Sequence, residues 1–245
     1  MKVTVITVTY NSGKTIEDTM KSVQAQTYPD IEHIIIDGAS TDNTLEIVRK
    51  FPHVTKIVSE KDTGMFNAIN KGIIHSTGSI VGILNSDDFF TDNTIVEKVA
   101  HAFTPDLHAL IGDIAFVQSP NLTRIVRYYS SKNWKPSWFR WGFMPPHPSF
   151  YLRRECFEVN GLYKEDYRIS ADYELMIRML YNAKYKYKYL PLNMVTMRLG
   201  GMSTRNIKAR YILNKEIIRA CKENGIYTNM LMLSLKYFKK AFEYV

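Results

Sequence analysis

The sequence predicts an α/β fold with a mostly parallel central sheet flanked by helices, and three observations support that prediction. Over residues 3–84, apolar runs typical of buried strands alternate with segments whose apolar residues recur at helical spacing. The helical segments are about 10–15 residues long, which is the length that connects neighbouring parallel strands. With 45% hydrophobic and 23% charged residues, the chain has the composition of a globular protein with a substantial core.

The first half of the chain is predicted to consist of strands and helices in alternation. The strands are predicted at residues 3–10, 31–38, 54–60 and 79–84. The helices are predicted at residues 14–26, at the segment that Ser40 and Thr41 can cap, and at residues 65–75. This order favours βαβ units, in which successive strands run parallel.

The second half has a different character. Strands at 109–118 and 123–129 are predicted to form a hairpin, and helices are predicted at 172–182 and 206–223. The stretch 133–148 between them is predicted to be irregular. Its three tryptophans would share one face of a helix, but a proline inside the stretch argues against a regular helix. The residues concerned are Trp134, Pro136, Trp138 and Trp141.

The last segment, residues 226–245, has an apolar stripe at helical spacing. Packing on the rest of the chain, packing across a homodimer and contact with a membrane surface are the alternatives for this stripe. Three lysines, Lys236, Lys239 and Lys240, lie off the stripe. The stripe consists of Tyr227, Met230, Leu231, Phe238, Ala241, Phe242 and Val245.

Charge is unevenly distributed along the chain. The net charge of +8 combines −6 over residues 1–120 with +14 over residues 121–245. An acidic front half suits metal binding, and a basic back half suits phosphates, nucleic acid or an anionic membrane surface, although a solvated surface is the plainer explanation. The chain has no long apolar run and no signal-peptide core, and its two cysteines lack metal-ligand spacing. We therefore expect a cytoplasmic protein with reduced thiols.

Polar side chains follow all four predicted strands of the first half. Because ligands of open parallel sheets bind at the carboxyl ends of the strands, we expect these side chains to gather around a ligand. Any one of them alone would be an ordinary loop or capping residue. In chain order they are Thr9, Tyr10, Asn11, Asp37, Glu60, Lys61, Asp62, Asp87 and Asp88.

The pair Asp87-Asp88 directly follows the apolar run 80–84 and carries an electrostatic cost. Two adjacent carboxylates at the end of a buried strand repel each other and lose hydration. A divalent cation such as Mg²⁺ or Mn²⁺ would relieve this repulsion, because it takes a few carboxylate ligands from protein and the rest from water and phosphates. The alternative is that Asp87 merely ends the strand or caps the next helix.

Several nucleotide-binding motifs are absent from the sequence. A G-x-G-x-x-G motif does not follow the first strand, and there is no G-x-x-x-x-G-K-[ST], so dehydrogenases and P-loop NTPases are disfavoured. The first strand is followed by TYNSGKTI, without the glycine-rich, arginine-bearing loop that a sugar nucleotidyltransferase would need.

Three stretches of the chain resemble glycosyltransferase family 2, whose members have the GT-A fold. They are VITVTYNSGKTIEDTMKSVQAQTYPDIEHIIIDGASTDNT, EKDTGMFNAINKGIIHSTGSIVGILNSDDFF and ISADYELMIRML, and the similarity covers roughly residues 1–200. The resemblance implies a Rossmann-like GT-A fold with a smaller acceptor-side region and terminal helices. It also implies an inverting enzyme that uses Mn²⁺ or Mg²⁺ and a nucleotide-sugar donor, with a UDP-sugar as the first expectation.

The resemblance implies roles in catalysis and metal binding for particular residues. Asp172 would be the general base, and Asp88 would bind the metal that bridges the donor diphosphate. His147 is a candidate further metal ligand or acceptor-site residue, and its alternative is a structural histidine. The family often has Glu-Asp where this chain has Ala171-Asp172, so Glu165-Asp166 (165–166) is the fallback for the base.

A further set of residues is implied to bind the donor. Tyr10 would lie against the nucleobase together with Thr9, and Arg198, followed by the loop 199–204, would neutralise the diphosphate. The family often has two aspartates where this chain has Asp37-Gly38, which weakens the expected base contacts. The donor-binding set is Thr9, Tyr10, Asn11, Asp37, Asp62, Lys71, Asp87 and Arg198.

These expectations define an organisation and a function. Residues 1–112 would form the donor half, residues 113–204 the acceptor and catalytic-base half of the same domain, and residues 205–245 a helical extension. The acceptor would be a glycan or lipid-linked glycan in surface polysaccharide assembly, with the basic back half against the inner face of the plasma membrane. The alternatives are a sugar nucleotidyltransferase and a non-catalytic sugar-nucleotide or glycan-binding module. Nucleic acid is not an expected partner, because the acidic strand ends would repel phosphates.

Overall fold

The computed structural model describes residues 1–200 and 207–240 of the chain. Strands and helices alternate as far as the strand that ends at Ile83 and become irregularly mixed after it. The strands are β1 (Val3–Thr9), β2 (Ile31–Asp37), β3 (Val54–Ser59), β4 (Ile80–Ile83), β5 (Phe89–Phe90), β6 (Ala109–Gln118), β7 (Asn121–Tyr129), β8 (Tyr151–Arg153) and β9 (Tyr187–Arg198). The helices are α1 (Ile16–Gln24), α2 (Thr44–Val48), α3 (Met65–His75), α4 (Ile95–Ala102), α5 (Arg154–Asn160), α6 (Ala171–Met176), α7 (Ile207–Glu223) and α8 (Met230–Lys240).

All nine of these strands belong to one sheet, in the order β3-β2-β1-β4-β8-β6-β9-β5, with β7 paired to β6. The strands β3, β2, β1 and β4 are parallel, as are β6 and β9, whereas β8 is antiparallel to both of its neighbours. The predicted α/β class with a mostly parallel sheet is therefore confirmed. The predicted hairpin is also present, as the antiparallel pair β6–β7.

The isoleucines of β2 show how the sequence builds two layers around this sheet. Ile34 and Ile36 pack into one core cluster with Ile69 of α3, whereas Ile35 packs with Met20 of α1 on the opposite face. Successive side chains of a strand point to opposite faces, so an unbroken apolar run requires helices on both sides. The run therefore places β1, β2 and β4 in the middle of the molecule and aligns their carboxyl ends.

Two short strands were absent from the sequence prediction, and both shape the site. β8 lies between β4 and β6, and β5 follows the Asp87-Asp88 turn and pairs with β9. Strands of two or three residues leave no periodic pattern to detect. The division predicted at residue 112 lies inside β6, so the two predicted halves share one sheet.

The second half differs from its prediction in two helical regions. The helix predicted at 172–182 is α6 followed by a π-helical segment at 177–182. The tryptophan-rich stretch contains a 3-10 helix at Pro136–Trp141, and Trp134 is buried ahead of it with its indole N–H donating to the Phe143 carbonyl at 3.1 Å. The tryptophans therefore do not form one face, in agreement with the effect expected of Pro136.

The terminal helix α8 packs on the domain through the side that carries Lys236, which lies off the predicted apolar stripe. Leu233 and Lys236 are buried, and the Lys236 ammonium donates to the Asn214 Oδ1 at 2.7 Å. Tyr227 and Leu231 of the predicted stripe are 70% and 77% exposed. The side chains of Phe238, Lys239 and Lys240 and residues 241–245, like the loop residues 201–204, lie outside the described part of the chain. Within the described residues, no helix has the length and apolar character needed to span a bilayer.

We expect Gly82→Ala to destabilise the fold. A Cβ at this position would lie 2.3 Å from Cε1 of Tyr151, the buried residue that pairs with Gly82 across β4 and β8. Overpacking of this kind costs about 1–3 kcal/mol. Gly64→Ala is the control, because a Cβ there would meet nothing within 4 Å. Urea unfolding measures both variants, and an equal effect of the two substitutions would contradict the prediction.

Candidate active site

The ends of β1, β2 and β3 converge on Gly38. A Cβ on Gly38 would lie 3.2 Å from Asp62 Oδ2 and 3.4 Å from Cδ2 of Tyr10. The Tyr10 ring is 64% exposed beside this gap, and the Thr9 hydroxyl before it is buried without a hydrogen-bond partner in the described residues. An exposed ring can stack with a planar base, and the carboxylate next to it can accept a hydrogen bond from that base.

Asp37 and Asn11 organise the loop next to this gap. The buried Asp37 carboxylate accepts hydrogen bonds from the Ser40 amide at 3.0 Å and the Ser59 hydroxyl at 2.7 Å. Asn11 has a left-handed backbone with φ of 50°, and its Oδ1 accepts from the Thr41 amide at 2.9 Å. Both residues thus hold the 38–41 loop in this conformation, and their predicted contacts with a donor stay predictions.

Lys71 is joined to the donor side through two carboxylates. Its ammonium lies 2.7 Å from Asp62 Oδ1 and 2.7 Å from Glu60 Oε1, and these bonds raise the pKa of Lys71. The lysine therefore holds Asp62 over Gly38, so a residue nearly two turns into α3 affects the ends of the strands. Its predicted part in donor binding would be exerted through Asp62.

The Asp87-Asp88 turn lies between β4 and β5, and it brings two adjacent carboxylates together where water is largely excluded. Asp88 is 1% exposed; its Oδ2 accepts from the Asn85 amide at 3.0 Å, and its Oδ1 has no hydrogen-bond partner in the described chain. Burial and the Asp87 charge raise the pKa of Asp88 well above 3.8. Burial also raises the pKa of the half-buried Asp87.

Arg198 supplies positive charge under this turn. Its guanidinium donates to the Asp87 carbonyl and to the Asp18 carboxylate of α1, and it lies 5.4 Å from the centre of the Phe89 ring. It partly offsets the shifts in the pKa of both aspartates. Sequence reasoning placed Arg198 on the donor diphosphate, whereas its contacts here tie β9 to the carboxylate turn and to α1.

Asp172 occupies the first turn of α6 and is half-buried. Burial raises the pKa of Asp172 to about 7, with a smaller contribution from the charge of Glu216. A carboxylate with a pKa near neutrality is suited to accept a proton during catalysis. The next acidic residue, Glu174, is fully buried and binds the Arg178 guanidinium at 2.8 Å, so it is engaged away from Asp172.

His147 lies close to the base candidate, and its ring is already engaged. Its Nε2 is 2.8 Å from the hydroxyl of Tyr163, whose pKa the Asp172 carboxylate helps to raise. Burial lowers the pKa of His147 to about 4, so the imidazole is neutral at physiological pH. Over residues 1–200 and 207–240, no group of three or more His, Cys, Asp or Glu side chains is arranged to hold a metal ion. The contact with Tyr163 agrees with the structural alternative for His147, and metal ligation by it stays a prediction.

The fallback pair for the base is occupied by structural contacts. Glu165 accepts from the Asn67 amide at 3.0 Å and the Asn70 amide at 2.9 Å, and Asp166 forms an ion pair with Arg219. These contacts connect α3 and α7 to the segment that precedes Asp172. They favour Asp172 as the available carboxylate of this region.

Sequence reasoning missed several polar residues that shape the site. The Ser12 hydroxyl lies 2.8 Å from that of Ser86 and links the β1 loop to the carboxylate turn. Asp42 accepts from the Gly13 amide at 3.0 Å, and Glu216 binds the segment before Asp172. The cluster of Ser, Thr, Asp and Asn at 40–44 signalled loop chemistry, but no sequence signal identified Glu216.

Comparison with known proteins agrees with this geometry. The model of the family described as Glycosyl transferase family 2 matches residues 4–167. The chain belongs to this family. An uncharacterized glycosyltransferase of Mycobacterium tuberculosis is 29% identical over 188 residues, which are 72% of this chain and 68% of that protein. A PGL/p-HBAD biosynthesis glycosyltransferase of Mycobacterium bovis is 25% identical over 85% of this chain and 81% of its own length.

Solved structures show the same fold. TarS 1-349 of S. aureus in complex with UDP-GlcNAc is 19% identical with a TM-score of 0.67, and this chain covers 66% of it with 90% of its own length. Mannosyltransferase PcManGT from Pyrobaculum calidifontis, in complex with GDP-Man and Mn²⁺, is 24% identical with a TM-score of 0.64. The matched region spans 91% of this chain and 63% of the mannosyltransferase. The GT-A-type fold implied by the sequence is thereby confirmed, and the protein is a glycosyltransferase of family 2.

We expect Gly38→Ala to weaken donor binding without unfolding the protein. The added methyl group would press on the Tyr10 ring, which is 64% exposed and can move aside, and on the Asp62 carboxylate, which Lys71 holds in place. Affinity for whichever of UDP, GDP and dTDP the wild type binds, measured by calorimetry, should fall by about tenfold, a loss of about 1.4 kcal/mol. The midpoint of thermal unfolding should stay close to that of the wild type, and unchanged nucleotide affinity would contradict the expectation that a base binds beside Gly38.

Proposed function

We propose that this protein is an inverting glycosyltransferase that moves a sugar from a nucleoside-diphosphate donor to a hydroxyl of a glycan or lipid-linked glycan. The observation that carries the proposal is the buried Asp88 carboxylate, whose Oδ1 lacks a hydrogen-bond partner among the described residues at the strand-end edge. Tyr10 and Asp62 lie at the neighbouring strand ends, where a base would bind. The neighbours solved with UDP-GlcNAc and with GDP-Man support a nucleotide-sugar donor.

The carboxylate turn fits a divalent cation. Asp88 offers a buried oxygen without a partner in the described chain, Asp87 adds charge beside it, and both hold protons more tightly than free aspartate. Asp88 is the residue we propose as the protein ligand, with Asp87 toward the ribose and His147 as a further candidate ligand. A bound Mn²⁺ or Mg²⁺ supplies positive charge beside the leaving diphosphate.

The proposed chemistry is a single displacement in which Asp172 takes the proton of the acceptor hydroxyl. Burial raises the pKa of this carboxylate to about 7, and the neutral His147–Tyr163 pair beside it adds no competing charge. Removal of the proton lets the hydroxyl oxygen attack the anomeric carbon from the face opposite the nucleotide. As the new C–O bond forms, the bond from that carbon to the diphosphate oxygen breaks and the nucleoside diphosphate leaves, which inverts the configuration.

Matched substitutions at two carboxylates separate donor binding from turnover. Wild-type protein should gain thermal stability from at least one member of a panel of UDP-, GDP- and dTDP-sugars in the presence of Mn²⁺. Asp88→Asn should lose this metal-dependent stabilisation, because it removes the proposed ligand. Asp172→Asn should keep the stabilisation and lose at least about 100-fold in turnover. For wild-type enzyme, kcat/KM should rise as pH increases through about 7, because the base must be ionised.

The outcomes also test the alternatives. Stabilisation by none of the sugars, with or without Mn²⁺, would contradict the donor site. If the wild type binds a donor but shows neither transfer nor hydrolysis that depends on Asp172, a non-catalytic binding module would be favoured. Release of pyrophosphate from nucleoside triphosphate and sugar phosphate would favour a sugar nucleotidyltransferase.

We further propose that the surface formed by Tyr227, Met230, Leu231 and Leu235, here called the α8 surface, contacts an anionic membrane. These side chains are between 41% and 77% exposed. The adjacent 3-10 helix packs on α8, and the Thr228 hydroxyl donates to its Arg140 carbonyl at 2.6 Å. The segments 130–145 and 224–240 contain lysine and arginine but no aspartate or glutamate. Exposed apolar side chains beside the 3-10 helix, which carries the exposed Lys135 and Arg140 at its start and end, suit binding to acidic lipids at the inner face of the plasma membrane.

Leu231→Glu should reduce binding to phosphatidylglycerol vesicles in a co-sedimentation assay at least several-fold. Val159→Glu on α5 is the matched control, because Val159 is 76% exposed and Leu231 is 77% exposed. Binding should weaken with added salt and be absent for phosphatidylcholine vesicles. Wild-type protein that fails to bind the acidic vesicles would overturn the proposal, and so would a homodimer, seen by light scattering, that Leu231→Glu dissociates.

A further inference from the structure

The carboxylate of Glu216 on α7 accepts hydrogen bonds from the backbone N–H groups of three consecutive residues immediately before α6. The Arg168 amide donates to Glu216 Oε1 at 2.7 Å, and the amides of Ile169 and Ser170 both donate to Oε2 at 2.9 Å. Ile169 and Ser170 are buried. Buried N–H groups without an acceptor are costly, so Glu216 is what allows this segment to adopt its conformation.

The same face of α7 holds the rest of this segment. Residues 216, 219 and 223 lie three and four positions apart, which places them on one side of a helix. Arg219 forms an ion pair with Asp166, and Glu223 accepts from Lys164 at 2.8 Å and from the Tyr167 hydroxyl at 2.9 Å. The segment 164–170 is thus fastened to α7 at three points, of which Glu216 is the one next to Asp172.

The charge of Glu216 also acts on Asp172 directly. The titratable groups that the structure places beside the Asp172 carboxylate are Glu216 and Tyr163, with His147 behind Tyr163. Burial raises the pKa of Tyr163 and lowers that of His147, so both of these side chains are neutral at neutral pH. A like charge favours the protonated form of a carboxylic acid.

We infer that Glu216 is a positioning residue for the reaction: it fixes the peptide segment that presents Asp172 and places a second negative charge beside that carboxylate. The inference rests on the proposed role of Asp172 as the general base. It gives α7, which follows the residues matched by the family model, a defined part in positioning Asp172.

The test compares Glu216→Gln with Glu223→Gln. Both substitutions remove one charge from the same face of α7 and keep an oxygen acceptor, but Glu223 binds Lys164 and Tyr167 rather than the amides before α6. The titration of Asp172 is followed in each protein by NMR of ¹³C-labelled aspartate carboxyls, with the signal assigned through Asp172→Asn. This readout needs no substrate, so it stays informative whatever reaction the enzyme performs.

In Glu216→Gln the titration midpoint of Asp172 should move from about 7 toward acid, because a like charge beside it is removed. The acid limb of kcat/KM, measured with the donor selected by the stabilisation panel, should move in the same direction, and kcat should fall while donor KM changes little. Glu223→Gln should leave the midpoint in place. An unchanged midpoint in folded Glu216→Gln would overturn the inference while leaving the proposed function intact.

Glu216→Asp gives a second test that does not depend on the stability of Glu216→Gln. The shorter side chain keeps the charge but cannot reach all three amides at their present distances. We expect it to retain a raised midpoint for Asp172 and to lower kcat several-fold. Wild-type kcat in this variant would overturn the positioning role. Wild-type turnover in Asp172→Asn would instead contradict the base assignment on which the inference rests.

Discussion

The unbalanced pair of carboxylates after β4 is the constraint on which the rest of the site depends. A strand buried on both faces delivers Asp87 and Asp88 into a turn where water is largely excluded, so their charge must be met by the protein or by a ligand. Arg198 meets part of it from β9, and Asp18 of α1 in turn balances Arg198. The turn therefore joins three elements that are distant in the sequence, and it leaves one carboxylate oxygen of Asp88 without a hydrogen-bond partner in the described chain.

This arrangement shows why an enzyme tolerates a locally unfavourable structure. A carboxylate that is fully paired within the protein would gain little from a cation or a diphosphate, because each new contact would replace an existing one. Asp37 illustrates the paired case, since Ser40 and Ser59 occupy it and it shapes the loop. Asp88 illustrates the opposite case, in which burial without a full set of partners raises the pKa and favours a cation.

The sequence predicted the fold well where the pattern was long and the burial two-sided. The run Ile34-Ile35-Ile36 could only be a central strand between two helical layers, and the structure places it there. It predicted little where an element was short or its face was set by tertiary contacts. β5 has two residues, and α8 buries Lys236 against Asn214 while Leu231 faces outward. Periodicity in the sequence predicts which residues share a side of a helix, but it does not predict which side packs against the rest of the protein.

The sequence predicted many of the residues that lie in the candidate site, but it did not predict which of them form the loops and which remain available to a ligand. Asp37 and Asp62 both follow a strand, and only their partners distinguish a loop-forming carboxylate from one that overlies Gly38. Glu216 had no signal at all, because the three amides that it binds are brought to α7 by the fold of the second half. A general base needs a fixed backbone as well as an adjusted pKa, and in the mechanism proposed above Glu216, from a distant helix, would contribute to both. The basic second half of the chain thus holds the segment before Asp172 in place, while the acidic first half supplies the Asp87-Asp88 turn and the carboxylates at the strand ends.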